Sequence, residues 1–140
     1  VINSATKNKT GDRTSDRYSI LIVDDEPDLL WVFGNFLTRT GYTVVTAPNA
    51  TEALSLVHQH SFALAFIDVK LPDMDGLKLA VAIRDLAPDL PLIVLSGYHY
   101  GEDAEIVKGV AEGLYAGFIA KPFDLQEVHD AAQLFCQRNA

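Results

Sequence analysis

Short apolar runs alternate along this 140-residue chain with segments of helical period, and what stands at the end of each run constrains the fold most. Ser19-Ile20-Leu21-Ile22-Val23 stops abruptly at Asp24-Asp25, and Phe62 to Ile67 stops at Asp68. Pro91 to Leu95 gives way to Ser96, and Ala116 to Ala120 to Lys121. A continuous apolar run of this length is what a parallel strand buried on both faces requires. Tyr42 to Ala47 supplies one further strand.

The intervening segments read as helices. Pro27 suits a first helical turn, Leu29, Leu30, Phe33, Phe36 and Leu37 form an apolar stripe, and Gly41 stops it. Asn49 with Glu52 three residues on resembles a capping box, opening a helix to about His60. A third helix follows the loop through Pro72 and Gly76 and runs to about Leu86. A fourth, near 102–113, carries Ile106, Val107, Val110 and Leu114 on one stripe. Asp124 caps the last, with Leu125, Val128 and Phe135 inward. Repeated βα units demand right-handed crossovers and a parallel sheet covered on both faces. The expected class is α/β: a flavodoxin-like, doubly wound five-stranded parallel sheet of order 2-1-3-4-5, with helices on both faces.

Residues 1–17 are polar and bury almost nothing, so they read as a disordered leader or expression remnant, with the folded domain at 18–140. The net charge of −8 lacks the basic footprint that nucleic acid or an anionic membrane requires. Cys136 is the only cysteine, so no internal disulfide is possible and a reducing, cytoplasmic setting fits best. No apolar run is long enough to span a membrane.

Ligands of such sheets gather at the carboxyl ends of the strands, near the switch in strand order. Asp24, Asp25, Asp68, Ser96 and Lys121 all stand at strand ends and would converge there. Two carboxylates about 4 Å apart repel by roughly 4 kcal/mol at an effective dielectric of 20. Lys121 supplies one positive charge, and a divalent cation could meet the remaining deficit. Oxygen ligands without cysteine or histidine favour Mg²⁺ or Mn²⁺ over zinc. A carboxylate beside a cation, a lysine and a hydroxyl is equipped for phosphoryl transfer.

Asp24-Asp25, the stretch Asp68-Val69-Lys70-Leu71-Pro72-Asp73-Met74-Asp75-Gly76, Ser96-Gly97 and Lys121-Pro122-Phe123 together resemble the response-regulator receiver family of two-component signalling. The resemblance covers about residues 18–138. It implies Asp68 as phosphoacceptor, taking its phosphoryl group from a histidine kinase or histidine phosphotransfer protein. It implies direct metal ligation by Asp25, Asp68 and the Lys70 main-chain carbonyl, with Asp24 acting through water. Ser96 and Lys121 would hold phosphoryl oxygens, and Phe118 would be a switching aromatic. Its partner face would be the fourth helix, fifth strand and fifth helix, open to a homodimer partner or an output partner. The 96–121 interval is about three residues longer than usual for the family, which places the extra residues in the loop or helix after strand four.

Such a chain is a switch that assists its own modification, not a turnover enzyme on an external substrate. Two other readings stand beside it: a phosphate-independent interaction module of the same fold, and a haloacid-dehalogenase-like phosphatase. The phosphatase needs a second acid two residues after its nucleophile, where Lys70 stands. His58, His60, His99 and His129 show no common ligand spacing and read as surface or packing residues. Trp31 and most other aromatics read as core, whereas Tyr98-His99-Tyr100 reads as a loop able to touch a partner.

Overall fold

The structure, a computed structural model, describes residues 18–97, 100–121 and 124–137. The expected leader at 1–17 lies outside the described residues, as do Tyr98, His99, Pro122 and Phe123. The strands are β1 (Ser19–Val23), β2 (Thr43–Ala47), β3 (Leu64–Asp68), β4 (Leu92–Ser96) and β5 (Gly117–Ala120). Between them run helices α1 (Pro27–Arg39), α2 (Ala50–Gln59), α3 (Gly76–Leu86) and α4 (Tyr100–Ala111). A last helix, α5 (Leu125–Ala132), passes into a π turn at Gln133–Gln137. All neighbouring strands are parallel and the order is β2-β1-β3-β4-β5, as the alternation demands.

Every residue of β1, β3 and β4 is buried, because these strands lie inside the sheet with a helical layer on each face. Successive side chains point to opposite faces. Leu21, Val23, Ala65, Ile67, Leu92 and Val94 therefore pack with Ala53, Val57, Leu79, Ile83 and Ile106 of α2, α3 and α4. Ile20, Ile22, Leu64, Phe66, Ile93 and Leu95 pack with Phe33, Leu37, Val128 and Ala132 of α1 and α5. Each such branched or aromatic side chain taken fully from water contributes about 1.5–3 kcal/mol. The edge strands β2 and β5 are only partly covered.

Local chemistry sets the element ends. Gly41 follows α1 with φ 103°, a left-handed conformation that a residue bearing Cβ resists. Asp124 and Glu127 form a full reciprocal capping box at α5. At α2 the box is half made: Asn49 Oδ1 accepts from the Glu52 N–H, while Glu52 takes the Asn49 side-chain amide instead of its main chain.

The expectation fails at two apolar residues. Trp31 is 70% exposed: it lies two residues, about 200° of helix rotation, from the inward Phe33. Val107 is 56% exposed, because Ile106 faces the core and the next residue turns about 100° away. Strands β3 and β4 also sit one or two residues later than their apolar runs suggest. Asp68 and Ser96 are thus the last paired residues of rigid strands, opposite Leu95 and Ala120.

The start of α3 presses directly on the end of β3. A Cβ on Gly76 would stand 2.0 Å from the Asp68 carbonyl oxygen and 2.7 Å from Val69 Cα, both main-chain atoms that cannot swing aside. Gly76→Ala should therefore lower stability by about 1–3 kcal/mol or more, the cost of overpacking. Urea unfolding checks this: the midpoint should fall with an unchanged slope, and a variant equal to wild type would mean that α3 can retreat from β3 freely.

Candidate active site

The acids converge because β1 and β3 are neighbours that end at the same level. The Asp24 N–H still donates to the Ala47 carbonyl at 3.1 Å, which carries the strand pairing one residue past β1. The Asp24 side chain is completely buried, and both its oxygens are used. Oδ1 accepts from the Glu26 N–H at 2.9 Å, and Oδ2 accepts from Lys121 Nζ at 2.9 Å. Asp25, one residue on, faces solvent. Asp24, Asp25 and Asp68 each offer a carboxylate oxygen within 4.8 Å of the others, the group among the described residues able to hold a metal ion.

Asp68 is 6% exposed. Its Oδ2 lies 3.5 Å from Lys121 Nζ, and its Oδ1 takes a long 3.4 Å hydrogen bond from the Lys70 N–H. Burial, then the neighbouring Asp24 charge, push its pKa up to about 6; Lys121 and the Lys70 N–H offset this only in part. Burial alone would lower the pKa of Lys121, but the Asp24 hydrogen bond and the charges of Asp68, Asp24 and Glu26 outweigh it and leave it raised. The lysine is therefore a fixed cation, tied into place by the Lys121 N–H donating to the Ser96 carbonyl at 2.6 Å.

Ser96 is buried at the end of β4, and its hydroxyl donates to the Gly97 carbonyl at 3.0 Å, not to Asp68. Phe118 lies on β5 opposite Val94 and is 45% exposed. Lys70 is exposed, and no ion pair involving it is found among the described residues. The sequence reading missed two acids. Glu26 shares Lys121 at 3.5 Å, and Asp73 reaches the amino end of α2. Glu26 directly follows the acid pair, which was a usable signal; Asp73 offered none, since its partners are more than twenty residues away. His129 packs edge-on against Phe36 and His60 tilts against Phe62, so neither joins the site.

The family model of the response regulator receiver domain matches residues 20–133, and the chain belongs to that family. It is 33% identical over 112 residues to the transcriptional regulatory protein GlrR of Escherichia coli, and 35% over 115 residues to the C4-dicarboxylate transport transcriptional regulatory protein DctD of Rhizobium meliloti. These matches cover 80% and 82% of this chain but only 24% of each relative, so the chain spans about a quarter of their length. An uncharacterised 14.6 kDa protein of Leptolyngbya boryana is 34% identical, with 89% of this chain and 94% of that one covered. Among solved structures, the NtrX receiver domain of Brucella abortus superposes with a TM-score of 0.75 at 31% identity, over 84% of this chain and 98% of that one. A CheY-like receiver protein of Methanospirillum hungatei gives 0.73 at 28%, over 87% and 98%. A Burkholderia pseudomallei response regulator with a phosphorylated aspartic acid and calcium ion gives 0.73 at 31%, over 86% and 69%.

The raised pKa of Asp68 makes stability depend on pH with a definite sign. Burial favours the neutral acid, so its contribution is fully present below about pH 4 and is lost as pH rises through about 6. Without divalent cations the loss should be on the order of 2 kcal/mol. Asp68→Asn should abolish that slope and be the more stable protein at pH 7. Thermal melts in EDTA from pH 4 to 7.5 check this, and parallel pH profiles for both proteins would contradict it.

Proposed function

We propose that this receiver domain is a phosphoryl-accepting switch in which Asp68 takes a phosphoryl group from a phosphohistidine donor. The observation that carries the reading is the convergence of three carboxylates beside Lys121, which bonds Asp24 and stands 3.5 Å from Asp68. An Asp68 oxygen attacks phosphorus, the P–N bond to the donor imidazole breaks, and its electron pair stays on that nitrogen. Lys121 then moves from neutralising carboxylates to neutralising phosphoryl oxygens, and Ser96 turns its hydroxyl from Gly97 to a phosphoryl oxygen.

The acids fit a Mg²⁺ or Mn²⁺ ion: all donors are oxygen, and one lysine leaves their charge uncompensated. Asp25, Asp68 and the Lys70 carbonyl would hold it, with Asp24 through water. When bound it supplies neutralisation of phosphoryl oxygens during transfer. The donor is a histidine kinase or histidine phosphotransfer protein of the cytoplasm. Among the described residues no helix is long and apolar enough to cross a membrane.

Output runs through the α4-β5-α5 face, where Val107 and Phe118 are exposed and open to a second copy or an output partner. Inward movement of Ser96 makes room into which Phe118 turns, so a partner that distinguishes the two states reads the modification. No observation favours the phosphatase or the phosphate-independent module.

With acetyl phosphate and Mg²⁺, intact-mass measurement should find one added phosphoryl group on wild type and none on Asp68→Asn or in EDTA. Equal labelling of Asp68→Asn would overturn the assignment. Lys70 is long, cationic and exposed, and its N–H donates to the Asp68 carboxylate, so in this reading its side chain borders the approach of water behind phosphorus. Lys70→Asn should consequently lose its label faster than wild type in a single-turnover chase, and equal rates would remove Lys70 from the control of lifetime.

A further inference from the structure

The proposed chemistry does not use Asp73, yet its carboxylate joins the phosphoacceptor loop to a different helix. Oδ1 accepts from the Ala50 N–H at 2.8 Å, while Oδ2 accepts from the Thr51 N–H at 3.0 Å and the Thr51 hydroxyl at 2.7 Å. Asn49 Oδ1 takes the Glu52 N–H, so the first three N–H groups of α2 all have acceptors, two of them supplied by this distant acid. The bonds are charge-assisted and sit at the positive end of a helix. The Ala50 N–H first, then the Thr51 hydroxyl, hold the Asp73 carboxyl below its ordinary range, so it is anionic at neutral pH.

The rest of the loop is tied at its base. The Gly76 N–H donates to the Val69 carbonyl at 2.7 Å, Lys70 pairs with Asp75 in an isolated antiparallel bridge, and Asp75 caps α3 through the Leu77 N–H. Leu71 and Met74 rest against the apolar core but fix no orientation by hydrogen bonding. Among the described residues, the polar tie from the loop tip to another element is Asp73.

We propose that Asp73 is a positioning residue: with Thr51 it latches the tip of the phosphoacceptor loop to α2, and so sets where the Lys70 main chain and side chain stand over Asp68. The inference rests on Asp68 as phosphoacceptor. The latch has a second consequence. Both oxygens of Asp73 accept from α2 and neither pairs with Lys70, whose ammonium the latch leaves for the site.

Four variants test the latch: Asp73→Ala, Thr51→Val, Thr51→Ser and the Asp73→Ala/Thr51→Val double. The readouts are Mg²⁺ affinity of the unphosphorylated protein, loss of phosphoryl label, and amide exchange at Ala50, Thr51 and Lys70. Asp73→Ala should bind Mg²⁺ about tenfold more weakly, as expected when support behind a metal ligand is removed. Thr51→Val should show part of that loss and Thr51→Ser none, and the double variant should be no worse than Asp73→Ala. Label should be lost faster from Asp73→Ala than from wild type, and this difference should vanish when both proteins also carry Lys70→Asn. A merely structural acid would lower the melting temperature and leave Mg²⁺ affinity and label lifetime within about twofold of wild type; that result overturns the latch. Should Asp73→Ala fail to fold, the two Thr51 variants decide by the same measurements. If wild type itself takes no label and no Mg²⁺, the reading of Asp68 fails, and the latch is judged by exchange alone. Lys70 amide protection unchanged in Thr51→Val would then defeat it.

Discussion

The ammonium group of Lys121 holds the site together. It reaches from the end of β5 to Asp24 at the end of β1, a partner 97 residues earlier, and lies 3.5 Å from Asp68 on β3. Two buried carboxylates side by side are unfavourable, and a buried charge without a partner costs several kcal/mol. Lys121 relieves that cost only in part, which is why Asp68 remains an acid of raised pKa. Asp24, Asp25 and Asp68 thus carry more negative charge together than this one lysine offsets.

Holding such an arrangement requires rigid supports. Asp68 and Ser96 belong to the paired residues of β3 and β4, and Asp24 keeps one strand hydrogen bond beyond β1. These strands are buried on both faces between two apolar layers, and those layers supply the stability that the crowded acids withdraw. The opposing traits occupy opposite sequence neighbours. Asp24 is enclosed and bonded at both oxygens, whereas Asp25 is exposed and available to a ligand.

The loop beyond Asp68 is equally constrained, by small contacts. Gly76 lets α3 start against the Asp68 carbonyl, and the Val69 and Asp75 hydrogen bonds close the loop upon itself. An acidic, proline-containing segment looks like a solvated turn, yet both of its later aspartates cap helices, one of them a helix other than its own. Lys70 forms an ion pair with neither acid.

Much of this was determined by the sequence alone. Apolar runs too continuous for a one-sided sheet, alternating with helical periods, leave little choice but a parallel sheet with both faces covered. Polar residues ending those runs fall at one edge of any such sheet; Asp24, Asp25, Asp68 and Lys121, named from the sequence, cluster there, while the Ser96 hydroxyl bonds Gly97. The tertiary structure decided what depends on neighbours distant in sequence. Helical period relates side chains on one helix to each other but does not say where the buried stripe ends, so Trp31 and Val107 proved to be solvent-facing. The sharing of Lys121 by Glu26 and the attachment of Asp73 to α2 join groups 95 and 23 residues apart. The place of Glu26 beside the acid pair hinted at the first, whereas no local pattern records the second, because chain folding alone sets the distance between Asp73 and α2.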